Sequence, residues 1–469
     1  MSRVSAEHRT LRCRMLAVAL VLYGGAGQVY AQLGDARSAV STTKLIGEHK
    51  VYSLQDLIGV ALESNPSYLE AEQQALHAHL ETSLVRAQYA PQVNIKALAG
   101  NEHTPLPITR NVSPRGYIVS TSREIIPSLQ LKWLLFDFGR KKGQVEEATQ
   151  LALAAESGLL GAQEKLVFEV SRAYFDVMSA QGKVRAAEKG LHAAQLMEEA
   201  VNDQKQHGRA TVVQVAEAHR QTAAAQVTLT RASGAAQTAF AMLVATVGLP
   251  AESQFQLSSP SGVGLDAVQK PTLAALIDTA MGNRPDILAA QSKVAAAAAK
   301  VAATKADYHP TISIEAQVYQ NIGKTSSDNS PFSSINLTGN SIFVAFELPL
   351  FDGGARATKV SLASSERAQA EDALAETKNL AVQQVVQSYN DLKTSVDNRR
   401  QAVDYTQATE IAYQASLDSY RHGMASVTDL TNDEAAFAQA EASQEDANAD
   451  VMIAQAALAL ATGQRTAGP

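Results

Sequence analysis

Few residues in this 469-residue chain have the types and spacing for chemistry. His77 and His79 lie two apart in a stretch of helical composition. Two residues on, a helix has turned to another face, so the pair reads as two solvated histidines rather than a shared metal site. Asp137 and Asp352 each stand where a long helix begins, where a carboxylate caps free backbone N–H groups more readily than it catalyses. His207 and His422 each immediately precede a glycine in a turn. HExxH, GxSxG, P-loop and GxGxxG patterns are missing. The expectation is a non-enzyme with no catalytic residue, metal or cofactor.

What positions these residues is a duplication. LFDFGRKKGQVEEA (Leu135 to Ala148) returns as LFDGGARATKVSLA (Leu350 to Ala363). Asp137 and Asp352 are 215 apart, as are Gly208 and Gly423, and Gly248 and Gly463. Upstream the offset is 219, relating Asn65-Pro66 to Arg284-Pro285 and Tyr89-Ala90-Pro91 to Tyr308-His309-Pro310. The four-residue change falls in the polar stretches before each LFD, as expected of loops. The chain is therefore two copies of one structural unit.

Length alone suggests about three domains, which the repeat reduces to two halves of one body. A net charge of −7 argues against a nucleic-acid surface. With aromatics at only 5% and abundant alanine, helices are expected to pack closely side by side. Arg9, Arg12 and Arg14, the apolar run Met15 to Gly27 and Val29-Tyr30-Ala31 read as a secretory signal over 1–31. The only cysteine, Cys13, precedes the apolar run, so it is no lipid attachment site and the mature chain would carry no thiol. No later run reaches the ~18 apolar residues of a transmembrane helix.

The first repeat spans 32–248. A helix from Leu54 to about Tyr89 is broken at Asn65-Pro66, and strands are expected over about 92–100 and 128–136. The intervening polar, Pro-rich Asn101 to Arg123 reads as a loop. A helix over 140–207 follows, with a heptad through Leu166, Val170, Ala173, Val177, Ala180, Val184, Ala187, Leu191 and Ala194. It would be roughly 100 Å long, turning at Gly208 into a helix over 210–247. A linker over 249–272 leads to the second repeat, 273–463. This has a helix broken at Arg284-Pro285, strands about 311–319 and 341–351 with a polar loop between, and helices 355–422 and 426–462. A tail, 464–469, ends the chain.

The strands alternate apolar residues with Lys96, Lys132, Glu315 or Glu347, and nothing else in the chain offers them a covering sheet or helix. Apolar-out, polar-in alternation suits a transmembrane barrel, and barrels need roughly eight strands or more. Four per chain must then be shared between chains, and a trimer supplies twelve. The short helices of each half, laid end to end, would match the long helix beside them.

The N-P helix break, the Y-x-P strand start, LFD-x-G at the strand exit and Y-x-x-G-x-x-x-x-x-D at Tyr420 to Asp429 resemble the TolC-like outer membrane efflux proteins, over essentially the whole mature chain. The resemblance implies a mainly α fold with β. Long coiled-coil hairpins and four strands per chain would form a trimeric twelve-stranded barrel in outer-membrane lipid, continued by an α-helical periplasmic tunnel. It implies a periplasmic adaptor, an inner-membrane pump or ABC transporter as partners, and drugs, metals or unfolded proteins as cargo. It places a gate at Asp429, Asn432, Tyr420 and Gln214. Helix-tip turns and adaptor docking fall at His207, Gly208, Arg209, Arg421, His422 and Gly423. The tips depart from the pattern: Lys205 stands where the second repeat has Tyr420, Gln214 where it has Asp429, and Asn432 where some members carry a second aspartate. One acidic ring is expected, not two. The alternative is a soluble periplasmic coiled-coil adaptor, which would lack amphipathic strands and carry a β-rich lipoyl-like module.

Overall fold

A computed structural model describes residues 51–111, 113–258, 272–328, 330–422 and 424–464. The expected signal segment with Cys13, most of the linker, Gly423 and all but the first residue of the tail lie outside the described residues.

In chain order the elements are β1 (Val51–Tyr52), α1 (Leu54–Ser64), α2 (Pro66–Ala87), β2 (Gln92–Pro107), β3 (Tyr117–Phe136), α3 (Arg140–Gln206) and α4 (Val212–Val247). Then come β4 (Gln256–Leu257), α5 (Leu273–Asn283), α6 (Pro285–Ala306), β5 (Thr311–Ser327), β6 (Ser333–Glu347), α7 (Ala355–Arg421) and α8 (Val427–Thr462).

The helix breaks are built by their own residues. Asn65 caps α2 through its side-chain oxygen, which accepts from Ser67 N and Tyr68 N, and Pro66 fills the first helical position, where no N–H is needed. Its Nδ2 donates to the Thr246 carbonyl at the end of α4, 2.8 Å away. In the second repeat the buried Arg284 makes the corresponding tie without capping α6, donating to the Ala461 carbonyl at 3.0 Å and to Gln384 and Asp286. Thus α2 and α4 meet near Asn65, and α6 and α8 near Arg284. Leu57, Ala61 and Val170 are buried in one core, and Leu276, Ala280 and Val385, their counterparts at offsets 219 and 215, are buried in another. The first core also takes Tyr52, Tyr174 and Phe255, beside the short parallel pairing of β1 with β4.

The long strands form one antiparallel sheet in the order β2-β3-β5-β6. The register stacks like with like. Val93, Leu131, Ala316 and Ile342 share a row, as do Trp133, Ile314 and Val344, while Asn94, Gln130, Gln317 and Ser341 line up on the other face. There Lys132 and Glu315 are direct partners, with Nζ and Oε1 3.1 Å apart.

Two expectations are corrected. The polar stretches 101–123 and 321–340 are mostly strand: β2 runs on to Pro107, β3 begins at Tyr117, β5 reaches Ser327 and β6 begins at Ser333. Cross-strand hydrogen bonding carries the ladder beyond the apolar alternation. At its other end β6 stops at Glu347, short of the expected 351, consistent with Pro349, which cannot donate to a ladder. Second, Asp137 and Asp352 do not occupy the capping position itself. That place belongs to Gly139 and Gly354, both left-handed, with no side-chain bond of their own. The aspartates reach over from two residues earlier. Asp137 accepts from Gly139 N and Lys141 N, and Asp352 from Gly354 N and Arg356 N. Two successive left-handed residues make this nest possible, Phe138 with Gly139 and Gly353 with Gly354.

Candidate functional site at the helix tips

The ends of α3 and α7 and the starts of α4 and α8 form two tips built alike. After α3, Gly208 N donates to Lys205 O at 2.9 Å and Arg209 N to Gln204 O at 2.8 Å. That is the paired arrangement that satisfies a helix's last carbonyls through a left-handed glycine, here at φ +71. After α7, Met424 N donates to Ser419 O at 2.8 Å in the equivalent place. His207 and His422 close the same ends. Each Nδ1 donates to the carbonyl four residues back, Asp203 O at 2.9 Å and Asp418 O at 2.8 Å. Each histidine therefore serves its own helix, and no contact joins the two among the described residues.

The starts of α4 and α8 are reciprocal capping boxes. Thr211 Oγ1 accepts from Gln214 N while Gln214 Oε1 accepts from Thr211 N at 2.8 Å. Ser426 Oγ accepts from Asp429 N, and Asp429 Oδ2 accepts from Ser426 N at 3.2 Å and from Ser426 Oγ at 2.7 Å. These hydrogen bonds hold the Asp429 carboxyl below its ordinary range. So Gln214 and Asp429, which the duplication makes equivalent, do equivalent local work. Only one of them adds a charge. Asn432 is exposed one turn further along α8. Arg421 pairs loosely with Asp418, 3.6 Å away.

Tyr420 is different. It packs against the apolar cluster of Met197, Val201, Ala218, Val427 and Leu430, which ties α3, α4 and α8 together, and Gln204 Nε2 donates to its hydroxyl at 3.4 Å. Lys205, its counterpart, is exposed. The two tips therefore share backbone architecture and differ in side-chain packing.

One residue at this site escaped the sequence reading. Glu434 is only 7% exposed, and burial pushes its carboxyl up to about 7. The signal was present: Val427, Leu430, Thr431 and Glu434 follow the 0, 3, 4, 7 spacing of a buried helix stripe. Its neighbour Asp433 points instead to α7, where Ser416 Oγ donates to it.

Elsewhere, His77 lies 3.8 Å from Glu81 and His79 2.6 Å from Glu156, separate partners on different faces. Among the described residues no group of three or more His, Cys, Asp or Glu side chains is arranged to hold a metal ion, and no helix is long and apolar enough to cross a membrane.

An amphipathic four-stranded sheet thus stands at one end of long paired helices, with capped hairpin tips at the other. The profile of the outer membrane efflux protein family matches residues 57–249 and 276–464, one match per repeat. The chain is 27% identical to the outer membrane protein OprJ of Pseudomonas aeruginosa, over 71% of this chain and 67% of that protein. It is 25% identical to the protein CyaE of Bordetella pertussis, over 81% and 77%. The solved structure of CusC superposes with a TM-score of 0.71 at 22% identity, covering 87% of this chain and 92% of that one. The chain belongs to the outer membrane efflux protein family. It is an outer-membrane protein that extends into the periplasm, which removes the soluble-adaptor alternative.

Proposed function

We propose that three copies of the chain close one twelve-stranded barrel and, below it, one helical tunnel. Through this duct small molecules or proteins leave by way of a gated periplasmic entrance at the tips. The observation that carries the reading is the sheet itself. Among the described residues its edges β2 and β6 have no outer partner strand, its apolar row is exposed (Ile342 73%, Val344 71%), and four strands cannot close on themselves. In this reading Asp429 supplies one acidic ring at the entrance, with Asn432, Gln214 and Tyr420 beside it. The turns at His207, Gly208, Arg209, Arg421, His422 and Gly423 receive a periplasmic adaptor. Through that adaptor the duct couples to an inner-membrane pump or ABC transporter.

Two measurements test it. Single cysteines on β2 and β6 should cross-link into covalent trimers in the outer membrane, and only intrachain products would overturn closure by three chains. In planar bilayers, Asp429→Asn can keep the side-chain acceptor of the capping box while losing the charge. It should weaken block by multivalent cations from the tip side as much as Asp429→Ala does. Unchanged block in Asp429→Asn would remove the charge from the gate.

A further inference from the structure

We infer that the barrel carries a binding site for a phosphorylated lipid headgroup of the outer leaflet, centred on Arg123 and Lys324. The register makes these two cations direct cross-strand partners on β3 and β5. Asn101 pairs with Arg123, and Ser334 with Lys324, so four adjacent positions in one row are all hydrogen-bond donors and none is a carboxylate. Like charges placed directly opposite repel, and both side chains are exposed.

The protein does not neutralise them. Neither cation makes an ion pair among the described residues. Glu102 and Glu124 lie in neighbouring rows, on the opposite face of the pleat, and Glu102 accepts from Thr104. Asp328, near the end of β5, accepts from Val119 N. What holds Arg123 in place is Phe332, whose ring centroid is 4.8 Å from the guanidinium carbon. That contact orients the cation without cancelling its charge.

The row's position decides the partner. The helices join the sheet at Gln92, Phe136, Thr311 and Glu347, so the opposite end points away from the periplasm. On the face of Trp133, moving away from the helices, come Trp133 with Ile314, Leu131 with Ala316 and Leu129 with Val318. After Pro127 comes Ile125 with Ile322, and the next row is Arg123 with Lys324. The cations therefore stand where the apolar face ends on the outer side, at headgroup height. A bidentate guanidinium beside a lysine ammonium is suited to a phosphate monoester, and anionic headgroups are concentrated at that level.

The inference rests on the barrel reading above, and its test separates the two. The full-length protein, extracted from outer membranes and stripped of lipid, is offered a bis-phosphorylated lipid A, the same lipid dephosphorylated, or inorganic phosphate. Retention of lipid is read by native mass spectrometry, and single-channel conductance is recorded from the same preparation. Arg123→Gln with Lys324→Gln should retain the phosphorylated lipid roughly tenfold less than the parent, with conductance unchanged and weak, equal retention of the dephosphorylated lipid. If the double variant does not assemble, Lys324→Gln alone, which leaves the Phe332 contact in place, is read the same way. Equal retention of the phosphorylated lipid by parent and variant would overturn the site. So would retention of inorganic phosphate equal to that of the phosphorylated lipid. Loss of conductance in the parent would instead strike at the barrel.

Discussion

Arg356 lies over the ring of Tyr308, its guanidinium carbon 5.2 Å from the centroid, and Lys141 stands over Tyr89 in the same way at 5.5 Å. The tyrosines are related by an offset of 219 and the cations by 215, so the two contacts pair across the very segment where the repeats differ in length. They fasten the residue that leads into each strand pair to the helix that leads out. Lys141 also donates through Nζ to the Gln88 carbonyl, and burial lowers its pKa although Asp137 opposes this. Arg356 Nε donates to Asp352. Replacing either cation by Met keeps the aliphatic stem and removes the charge. Lys141 is buried and the Arg356 side chain is only 13% exposed, so each change should cost about 2 kcal/mol, as expected of a cation–π contact withdrawn from water. Chemical unfolding of the detergent-solubilised protein, followed by Trp133 fluorescence, checks this. The single tryptophan donates to Tyr89 O at 2.9 Å and so reports on the same junction.

The joints between short helices give a sharper expectation. Gly463 has φ +62, and a methyl group there would lie 2.9 Å from Arg284 N. Gly248, at φ +86, would meet Ser64 O at 2.8 Å. Backbone conformation and space both exclude a side chain. Gly463→Ala and Gly248→Ala should each cost about 1–3 kcal/mol. Gly208→Ala, with positive φ but open space around it, should cost less. Thermal midpoints of the three variants rank these effects, and an equal loss in all three would leave close helix contact without a role.

The repeat, the helix breaks and the LFD corners were legible because each depends on residues that constrain the backbone locally: Pro66, Pro285, Gly139, Gly354. Strand ends were not. From Asn101 to Pro107 and from Asn321 to Ser327 the side chains on both faces are largely polar, so alternation vanishes while ladder hydrogen bonds continue. The role of Asp429 was half legible. The S-x-x-D spacing from Ser426 is a capping box on its face, yet the motif around it points first to a gate. Glu434 was passed over because a carboxylate reads as surface until its helical phase is followed.

The two faces of the sheet predict opposite responses to charge. Ile314 sits between Trp133 and Val344 in the apolar row, and Glu315 between Lys132 and Phe343 in the polar one. On the Ile314 face, Val318→Lys places a cation toward lipid two rows deeper in the apolar stretch and should cost about 2–4 kcal/mol near the bilayer midplane, visible as loss of assembled protein from outer-membrane fractions. Glu315→Lys should assemble, lose its pair with Lys132, and shift ion selectivity toward anions. Equal tolerance of both changes would reverse or abolish this assignment of faces.

Glu434 makes the tips respond to pH. Leu430, one turn before it, packs with Met197 and Val201 on α3, and Ala438, one turn after, faces Gly190. The carboxyl therefore lies on the face of α8 turned to α3, with Tyr413 of α7 close enough that burial and then Glu434 raise its hydroxyl pKa. The charged groups around it are already engaged. Glu198 is held by His219 at 2.8 Å, Lys189 by Glu441 at 2.8 Å, Asp433 by Ser416, and Arg421 lies by Asp418. With no cation paired to it among the described residues, Glu434 is raised from 4.5 to about 7 by burial. The folded tip thus binds the proton more tightly than the unfolded tip. Its stability is full below pH ~4.5, falls as pH rises through ~7, and is then constant; the loss is on the order of 3 kcal/mol. Backbone hydrogen exchange over 413–437, corrected for the intrinsic rate, should show more frequent opening at pH 8 than at pH 5. Glu434→Gln should hold the closed-tip protection at both pH values. The same protection in the parent at pH 5 and 8 would show that protonation of Glu434 is not linked to opening of the tip and would remove it as the source of a pH response.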